Sequence, residues 1–138
     1  MMKKRMTALV LALLVCLALT ACQGEPLPAG MDEETLIAQG RKTARMLAGG
    51  EYDAVAALVR EDLRETITAD SLRDLMLRQT EGAGAYRQVE DAMATGQTAN
   101  GESFGVAVLY CEYTEDSVLF RLAFDPDMAL IGLEVKKQ

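Results

Sequence analysis

The chain has 138 residues, of which 50% are apolar and 25% are charged, and its 14 bases against 21 acids give a formal charge of −7. This length indicates one small domain, and the net negative charge disfavours nucleic-acid binding and adhesion to anionic lipid through a basic face. The chain has no histidine. This excludes Ser-His and Cys-His catalysis and histidine-ligated metal sites within the chain.

The first 21 residues have the three parts of an export signal. Three basic residues at positions 3–5 precede an apolar run over residues 6–19, and small residues follow. The run is shorter than the roughly 20 residues that a membrane-spanning helix needs, which favours a cleaved signal helix. A secreted protein cut near the same place and an uncleaved anchor are the alternatives.

The end of this segment, Leu19-Thr20-Ala21-Cys22, resembles the lipobox of bacterial lipoproteins. The resemblance implies that Cys22 carries lipid such as palmitate, and that the protein lies on the extracytoplasmic face of a bacterial membrane. We therefore expect a signal peptide over residues 1–21, the lipidated Cys22 and a tether over 22–31, and a single domain over 32–138. A tether over residues 23–30 would reach about 28 Å when extended, and the mature chain, with eleven bases and 21 acids, would have a formal charge of −10.

The cysteines predict no disulfide. Cys16 leaves with the signal and Cys22 carries the lipid, so that Cys111 remains alone. Cys111 falls in the row of strand residues that we expect to face the core, where a lone thiol usually acts as a small apolar side chain.

Three helices are predicted in the first half of the domain. Asp32-Glu33-Glu34 begins a first helix that ends at Gly49-Gly50. A second begins at Tyr52 and continues with one apolar face through Leu63. Thr68 is predicted as the N-cap of a third helix, which ends before Gly82.

From Tyr86 onward the apolar residues recur with a period of two, which predicts strands. Asn100-Gly101 is a strong signal for a tight turn. Two-residue turns at Glu115-Asp116 and at Pro126-Asp127 would align one apolar face across three strands. In that alignment Cys111 pairs with Phe120, and Phe120 in turn pairs with Leu133. The whole pattern predicts an α+β fold in which three helices pack on a curved antiparallel sheet of about four strands.

The opposite face of this sheet is more apolar than a solvated face usually is. We predict that it is an interaction surface, most simply a dimer interface, formed by Val106, Val108, Tyr110, Leu119, Arg121 and Leu130. Scattered apolar residues that are merely tolerated there are the alternative. Arg121, near Tyr110, Glu112 and Glu134, forms the best polar cluster, and we interpret it as an ion-pair ladder on the sheet surface.

The order of elements resembles the cystatin-like fold of nuclear transport factor 2-like domains. Local sequence resembles bacterial membrane lipoproteins that carry domain-of-unknown-function family 3887. The matching stretches are Gly50-Glu51-Tyr52-Asp53-Ala54-Val55, Ile67-Thr68-Ala69-Asp70-Ser71-Leu72, Phe124-Asp125-Pro126-Asp127 and Ile131-Gly132-Leu133. Met128-Ala129-Leu130 departs from the Gly-Lys that more often stands before the last strand. The resemblance implies a fold and an envelope location, and the family has no assigned activity.

Three functions remain open. The preferred one is a non-catalytic module that dimerises or binds an envelope protein through the outer sheet face. The second is a carrier or sensor for a small apolar ligand between helices and sheet, in a pocket lined by Tyr52, Val59, Met76, Phe120 and Leu122. The third is an enzyme acting on an envelope substrate. Asp125-Pro126-Asp127 lacks the later ligands of a calcium loop, and we expect no metal, no cofactor and no catalytic residue.

Overall fold

The computed structural model describes residues 24–138, so that the predicted signal helix, lipobox and Cys22 lie outside the described residues. The fold is α+β, as predicted, with three α-helices followed by one antiparallel sheet in the order β1-β2-β3-β4. The helices are α1 (Glu33–Ala48), α2 (Tyr52–Ala56) and α3 (Ala69–Gln79), with a short 3₁₀ helix at Glu61–Leu63. The strands are β1 (Tyr86–Ala99), β2 (Glu102–Tyr113), β3 (Ser117–Phe124) and β4 (Leu130–Lys137).

Helix α1 begins and ends where the sequence predicts, and Asp32 is its N-cap. The Asp32 carboxylate accepts a hydrogen bond from the Thr35 N–H at 2.9 Å, and this bond lowers the pKa of Asp32. Leu36, Ala44 and Leu47 are fully buried against the sheet. Gly40 lies on the same face, where a Cβ atom would come within 2.6 Å of the Ala107 Cβ. The glycine therefore permits close approach of α1 to β2.

The predicted second helix is wrong beyond its first turn. Helix α2 ends at Ala56, and Val59 forms a parallel bridge with Leu130. The Arg60 N–H donates to the Leu130 carbonyl at 3.0 Å, and the Leu130 N–H donates to the Leu58 carbonyl at 2.9 Å. The apolar spacing suits a continuous helix, but these long-range hydrogen bonds extend residues 58–60 along β4 instead.

Helix α3 begins at the predicted N-cap. The Thr68 hydroxyl accepts from the Ser71 N–H at 3.1 Å, and the Ser71 hydroxyl accepts from the Thr68 N–H at 2.9 Å. This reciprocal pair satisfies two N–H groups at the helix start. Leu72 and Met76 are buried, whereas Leu77 is 64% exposed.

The hairpin between β1 and β2 confirms the predicted turn. Asn100 and Gly101 have φ values of 53° and 77°, and Ala99 pairs with Glu102 on either side. Positive φ at both central residues is the requirement of the two-residue turn that suits strand twist, and Asn-Gly meets it with little strain. Irregular pairing near Tyr86 and Val89 bends β1 and contributes to the curvature of the sheet.

The predicted pairing of β2 with β3 is wrong by two residues. Cys111 pairs with Val118, and Leu109 pairs with Phe120, because Tyr113 and Asp116 close the turn through a 3.0 Å hydrogen bond. A shift of two residues keeps every side chain on its predicted face. The core therefore has the predicted composition despite the different register.

The turn between β3 and β4 also differs from the prediction. Asp125 and Ala129 enclose three residues instead of two, and Met128 has a φ of 67°. The pairing then slips between Phe124–Leu130 and Ala123–Gly132. This irregularity turns Leu130 to the core side, where it is fully buried. The prediction that Leu130 belongs to the outer sheet face is therefore wrong.

The segment before α1 contacts the free edge of β1. Glu25 forms an antiparallel bridge with Gly96, with main-chain hydrogen bonds of 3.1 and 2.8 Å. The Thr98 hydroxyl also donates to the Glu25 carboxylate at 2.9 Å. The predicted tether is thus attached to the domain from Glu25 onward. Within residues 24–138, no helix is long and apolar enough to cross a membrane.

Candidate functional site

The outer face of the sheet, opposite the helices, contains most of the side chains that the sequence predicts for an interaction surface. We define the outer face as Met93, Val106, Val108, Tyr110, Leu119 and Arg121. These residues line two adjoining grooves of about 540 and 270 Å³, and Arg121 belongs to both. Gly24 and Glu25 form part of the rim of the larger groove.

Exposure differs strongly across the outer face. Val106 and Val108 are buried, and they form the floor of the grooves. Met93, which sequence reasoning missed, is 47% exposed, and Tyr110 is 37% exposed. The period-two pattern of β1 contains the signal for Met93, since it pairs with Val108 and points to the same side. The accessible apolar contact surface therefore depends on Met93 and Tyr110 more than on the valines.

The predicted ion-pair ladder around Arg121 does not form. Arg121 pairs with Glu134 in the strand register, but no carboxylate of residues 24–138 lies within 4.0 Å of its guanidinium group. Glu112 instead accepts a hydrogen bond from the Gln88 side chain at 3.0 Å. Among the described residues this half-buried guanidinium group therefore has no anionic partner, and it is available to an anion from outside.

The structure does not bring the five predicted pocket residues together around one cavity. Val59, Phe120 and Leu122 lie in the hydrophobic core with at most 1% exposure. Tyr52 and Met76 instead line a groove at one end of the helices. We call it the tyrosine groove and define it by Arg45, Tyr52, Met76, Thr80, Tyr86 and Tyr113; its volume is about 430 Å³.

Tyr113 is the most unusual residue of the tyrosine groove. Its side chain is only 7% exposed, and its hydroxyl has no hydrogen-bond partner in the described part of the chain. The Tyr86 ring packs edge-on against it with centroids 5.6 Å apart. Burial raises the pKa of Tyr113 to about 12, with smaller contributions from Cys111, Tyr86 and Tyr52. A buried hydroxyl without a partner costs about 1–3 kcal/mol, so an acceptor from outside the chain would relieve a penalty.

A charged cluster, which the sequence analysis did not predict, lies at the end of the sheet away from the tyrosine groove. The Arg60 guanidinium group contacts Asp62 at 2.8 Å, Asp125 at 3.5 Å and the carboxylate of Glu102. The hydrogen bonds that Arg60 donates to Asp62 and Glu102 raise the pKa of Arg60 above its usual range. Asp125 also accepts from the N–H groups of Asp127 and Ala129, at 3.0 and 2.9 Å. These bonds make Asp125 a turn residue, as the sequence indicates, and the cluster joins three chain segments.

Cys111 and the acidic side chains provide no reactive centre in the described part of the chain. Cys111 is fully buried, and burial raises the pKa of its thiol to about 12, so that the thiolate is scarce at neutral pH. Among residues 24–138, no group of three or more cysteine or acidic side chains is arranged to hold a metal ion.

Comparison with known proteins identifies the family. A family model described as "Protein of unknown function (DUF3887)" matches residues 41–133, more than half of the chain. The chain belongs to the DUF3887 family. A solved NMR structure of a protein from Ruminococcus gnavus ATCC 29149 is similar to this DUF3887 protein, with 24% identity and a TM-score of 0.68. The match covers 80% of this chain and 96% of that chain, and it supports the fold alone. No curated protein matches this DUF3887 chain.

Proposed function

We propose that this DUF3887 protein is a lipid-anchored, non-catalytic interaction module on the extracytoplasmic face of a bacterial membrane. The basic start, the short apolar run and Leu19-Thr20-Ala21-Cys22 support the anchor. We assign the domain to the cystatin-like fold of nuclear transport factor 2-like proteins, on the basis of its three helices and four-stranded antiparallel sheet.

The partner that the outer face fits best is a second copy of this chain. In a two-fold dimer the same surface meets itself, so that a free cation on one copy requires a free anion at a suitable position on the other. Among residues 24–138, Arg121 has no carboxylate within 4.0 Å, and Glu134 on the neighbouring strand is exposed and unpaired. Two copies anchored in one membrane would also meet at a raised effective concentration. The unpaired Arg121 in the outer grooves is the observation that carries this proposal.

The oligomeric state tests it. Native mass spectrometry of the full chain released from detergent micelles should give the mass of two chains. Met93→Glu combined with Tyr110→Glu should give single chains, because four carboxylates would face one another across the interface. Leu77→Glu, a matched change at an exposed apolar residue of α3, should leave the dimer intact. A wild-type chain that remains single at all concentrations excludes the dimer.

A charge exchange tests the predicted pair more specifically. Arg121→Glu and Glu134→Arg should each weaken association, because each change places like charges together. The double variant should restore it, since the pair is re-formed with reversed sign. Arg121 and Glu134 are also cross-strand neighbours within one chain. A mixture of the two single variants, in which only contacts between chains join opposite charges, should therefore associate as well, and continued weakness of the mixture would contradict the Arg121–Glu134 contact between chains.

The anchor has a separate test. Cells that express the full chain and are given a labelled palmitate analogue should incorporate label into the protein, and the protein should sediment with membranes. Cys22→Ser should abolish both results, and Cys111→Ser serves as the matched cysteine control that retains them. Labelling that survives Cys22→Ser would exclude the proposed attachment site.

A further inference from the structure

The tyrosine groove has the features of a ligand site that is separate from the proposed dimer face. Its walls come from the end of α1, the start of α2, the last turns of α3 and the paired ends of β1 and β2. Its volume of about 430 Å³ lies in the range of small-molecule sites. Tyr52, Met76 and Tyr86 give these walls a largely apolar surface that suits a flat molecule.

The first polar feature is the Tyr113 hydroxyl. Buried hydroxyl groups in folded proteins nearly always have a hydrogen-bond partner, yet this one has none among residues 24–138. Tyr113 lines the groove together with Tyr52 and Tyr86, and neither of these neighbours bonds its hydroxyl. The hydroxyl can donate one hydrogen bond and can also accept, so a ligand that carries an oxygen acceptor would satisfy its donor.

The second polar feature is positive charge at the rim. Arg45 lines the tyrosine groove, and a neighbouring cavity of about 450 Å³ shares Arg45 and Tyr86 and adds Arg41 and Arg87. None of these three arginines has a carboxylate of residues 24–138 within 4.0 Å. In a chain with 21 acids and 14 bases, three such arginines on one side of the domain form a local attraction for an anion.

We propose that the tyrosine groove binds a small organic acid with a flat, apolar body. The carboxylate contacts Arg45 at the rim, where a guanidinium group offers two parallel N–H donors. The body lies against Tyr52, Met76 and Tyr86. An oxygen acceptor at its far end receives the hydrogen bond from Tyr113. No covalent step is involved, and the site would make the protein a sensor or carrier of such acids.

The four tyrosines of the chain provide the assay. Three of them line the groove, and Tyr110 lies on the outer face, where it serves as an internal control. The full chain, labelled with ¹³C at the tyrosine rings and held in dodecyl maltoside micelles, is titrated with 4-methoxyphenylacetate. This probe has a carboxylate at one end and an ether oxygen at the other. The resonances of Tyr52, Tyr86 and Tyr113 should shift with a single affinity, whereas those of Tyr110 should not.

Variants and a neutral analogue assign the contacts. Arg45→Gln, an exposed and structurally safe change, should weaken acid binding by about tenfold or more. It should leave 4-methoxyphenylacetamide unaffected. Tyr113→Phe should weaken binding of the acid and of the amide alike by about threefold to tenfold. Unchanged Tyr110 resonances show that each variant is folded.

Three results would overturn the proposal. The first is the absence of shifts in the groove tyrosines at about 10 mM probe, a concentration well above that of weak specific binding. The second is an equal shift of Tyr110, which would indicate partition into the micelle. The third is equal affinity of wild type and Arg45→Gln for the acid. None of these results bears on dimer formation, so failure here and failure of the proposed function are distinguishable.

Discussion

Arg60 and Asp125 are 65 residues apart in the chain, and Arg60 Nη1 lies 3.5 Å from Asp125 Oδ2. The other oxygen of Asp125 accepts from the N–H groups of Asp127 and Ala129. One carboxylate therefore both shapes the turn before β4 and fastens that turn to the segment before the 3₁₀ helix. The two functions involve different oxygen atoms, so they can be separated by substitution.

Asp125→Ala should destabilise the protein by about 2 kcal/mol, because the two turn N–H groups of Asp127 and Ala129 and the Arg60 guanidinium group lose their acceptor. Asp125→Asn should cost less, since its amide oxygen can still accept from the two N–H groups. Urea unfolding followed by circular dichroism measures both. Asp127→Ala, an exposed change in the same turn, should have little effect. Equal losses for Asn and Ala would contradict the separate functions of the two oxygens.

Met128 should reverse the usual stability order of alanine and glycine. Its φ of 67° is costly for any residue with a Cβ atom. Met128→Gly and Met128→Ala lose the same side-chain contacts, so their difference isolates the backbone. The glycine variant should be the more stable by about 1 kcal/mol, as judged by thermal unfolding. At the neighbouring Ala129, which has an ordinary φ, substitution by glycine should destabilise. A less stable Met128→Gly variant would exclude backbone strain at this position.

Replacing glycine by alanine within a helix is normally stabilising, but at Gly40 it should destabilise the protein. Alanine within an exposed helix is favoured over glycine by about 1 kcal/mol. At Gly40 the added Cβ atom would lie 2.6 Å from the Ala107 Cβ, so that Gly40→Ala should destabilise by about 1–3 kcal/mol through overpacking. Adding Ala107→Gly should recover part of this loss, because it removes the opposing atom. Chemical denaturation of the two single variants and the double variant measures the coupling, and strict additivity would rule out the close contact.

Stability should decrease above about pH 9. Burial raises the pKa of Cys111 from 9.0 to about 12 and that of Tyr113 from 10.0 to about 12. The unfolded chain therefore releases these protons first, so the stabilisation is complete below pH 9 and is lost as the pH rises towards 12. Each group contributes a slope of up to about 1.4 kcal/mol per pH unit. Urea unfolding between pH 8 and pH 11 should show the decline.

Cys111→Ala is the control for this pH dependence, because it removes the thiol contribution and should make the decline less steep, while the contribution of Tyr113 remains. Iodoacetamide should also label Cys111 in the folded protein only as fast as the protein opens. Rapid labelling at pH 8 without unfolding would contradict a buried thiol of raised pKa.

Gly96→Ala should detach the segment before α1 from β1. A Cβ atom at this position would lie 1.9 Å from the Pro26 carbonyl oxygen, so the backbone at Pro26 must move. The amide of residue 96, which donates to the Glu25 carbonyl at 2.8 Å, should then exchange its hydrogen much faster. Thr98→Ala, which removes only the side-chain bond to Glu25, should cause a smaller change. Unaltered exchange in Gly96→Ala would show that the segment remains attached.

The sequence correctly predicts the structural features that depend only on residues close together in the chain. The start of α1, the N-cap at Thr68 and the Asn100-Gly101 turn are confirmed, because each depends on atoms within a few residues. Face assignment on β2 and β3 also survives a wrong register, since a shift of two residues preserves alternation. The end of α2 and the position of Leu130 depend on hydrogen bonds between Leu58–Arg60 and β4, which no local pattern contains.

The candidate sites are less predictable than the fold. Aromatic and methionine residues identified Tyr52 and Met76, but the same pattern fits Phe120 and Leu122, which are entirely core. Whether such a residue lines a groove or lies in the core depends on the position of α2 relative to the sheet. Within residues 24–138 the Tyr113 hydroxyl has no hydrogen-bond partner and Arg121 has no ion-pair partner. A sequence pattern cannot show that a contact is missing.

With lipid on Cys22, as proposed, the attachment of Glu25 to Gly96 would limit how far the domain can move from the membrane. A free tether over residues 23–30 would span about 28 Å, whereas three residues from Cys22 to Glu25 span at most about 11 Å. With lipid on Cys22, the free edge of β1 would be the part of the domain nearest to the headgroups. Such a short linker would let the domain rotate about this edge but would keep the edge within about 11 Å of the lipid headgroups. A binding partner would then have to be anchored in the same membrane or come to its surface.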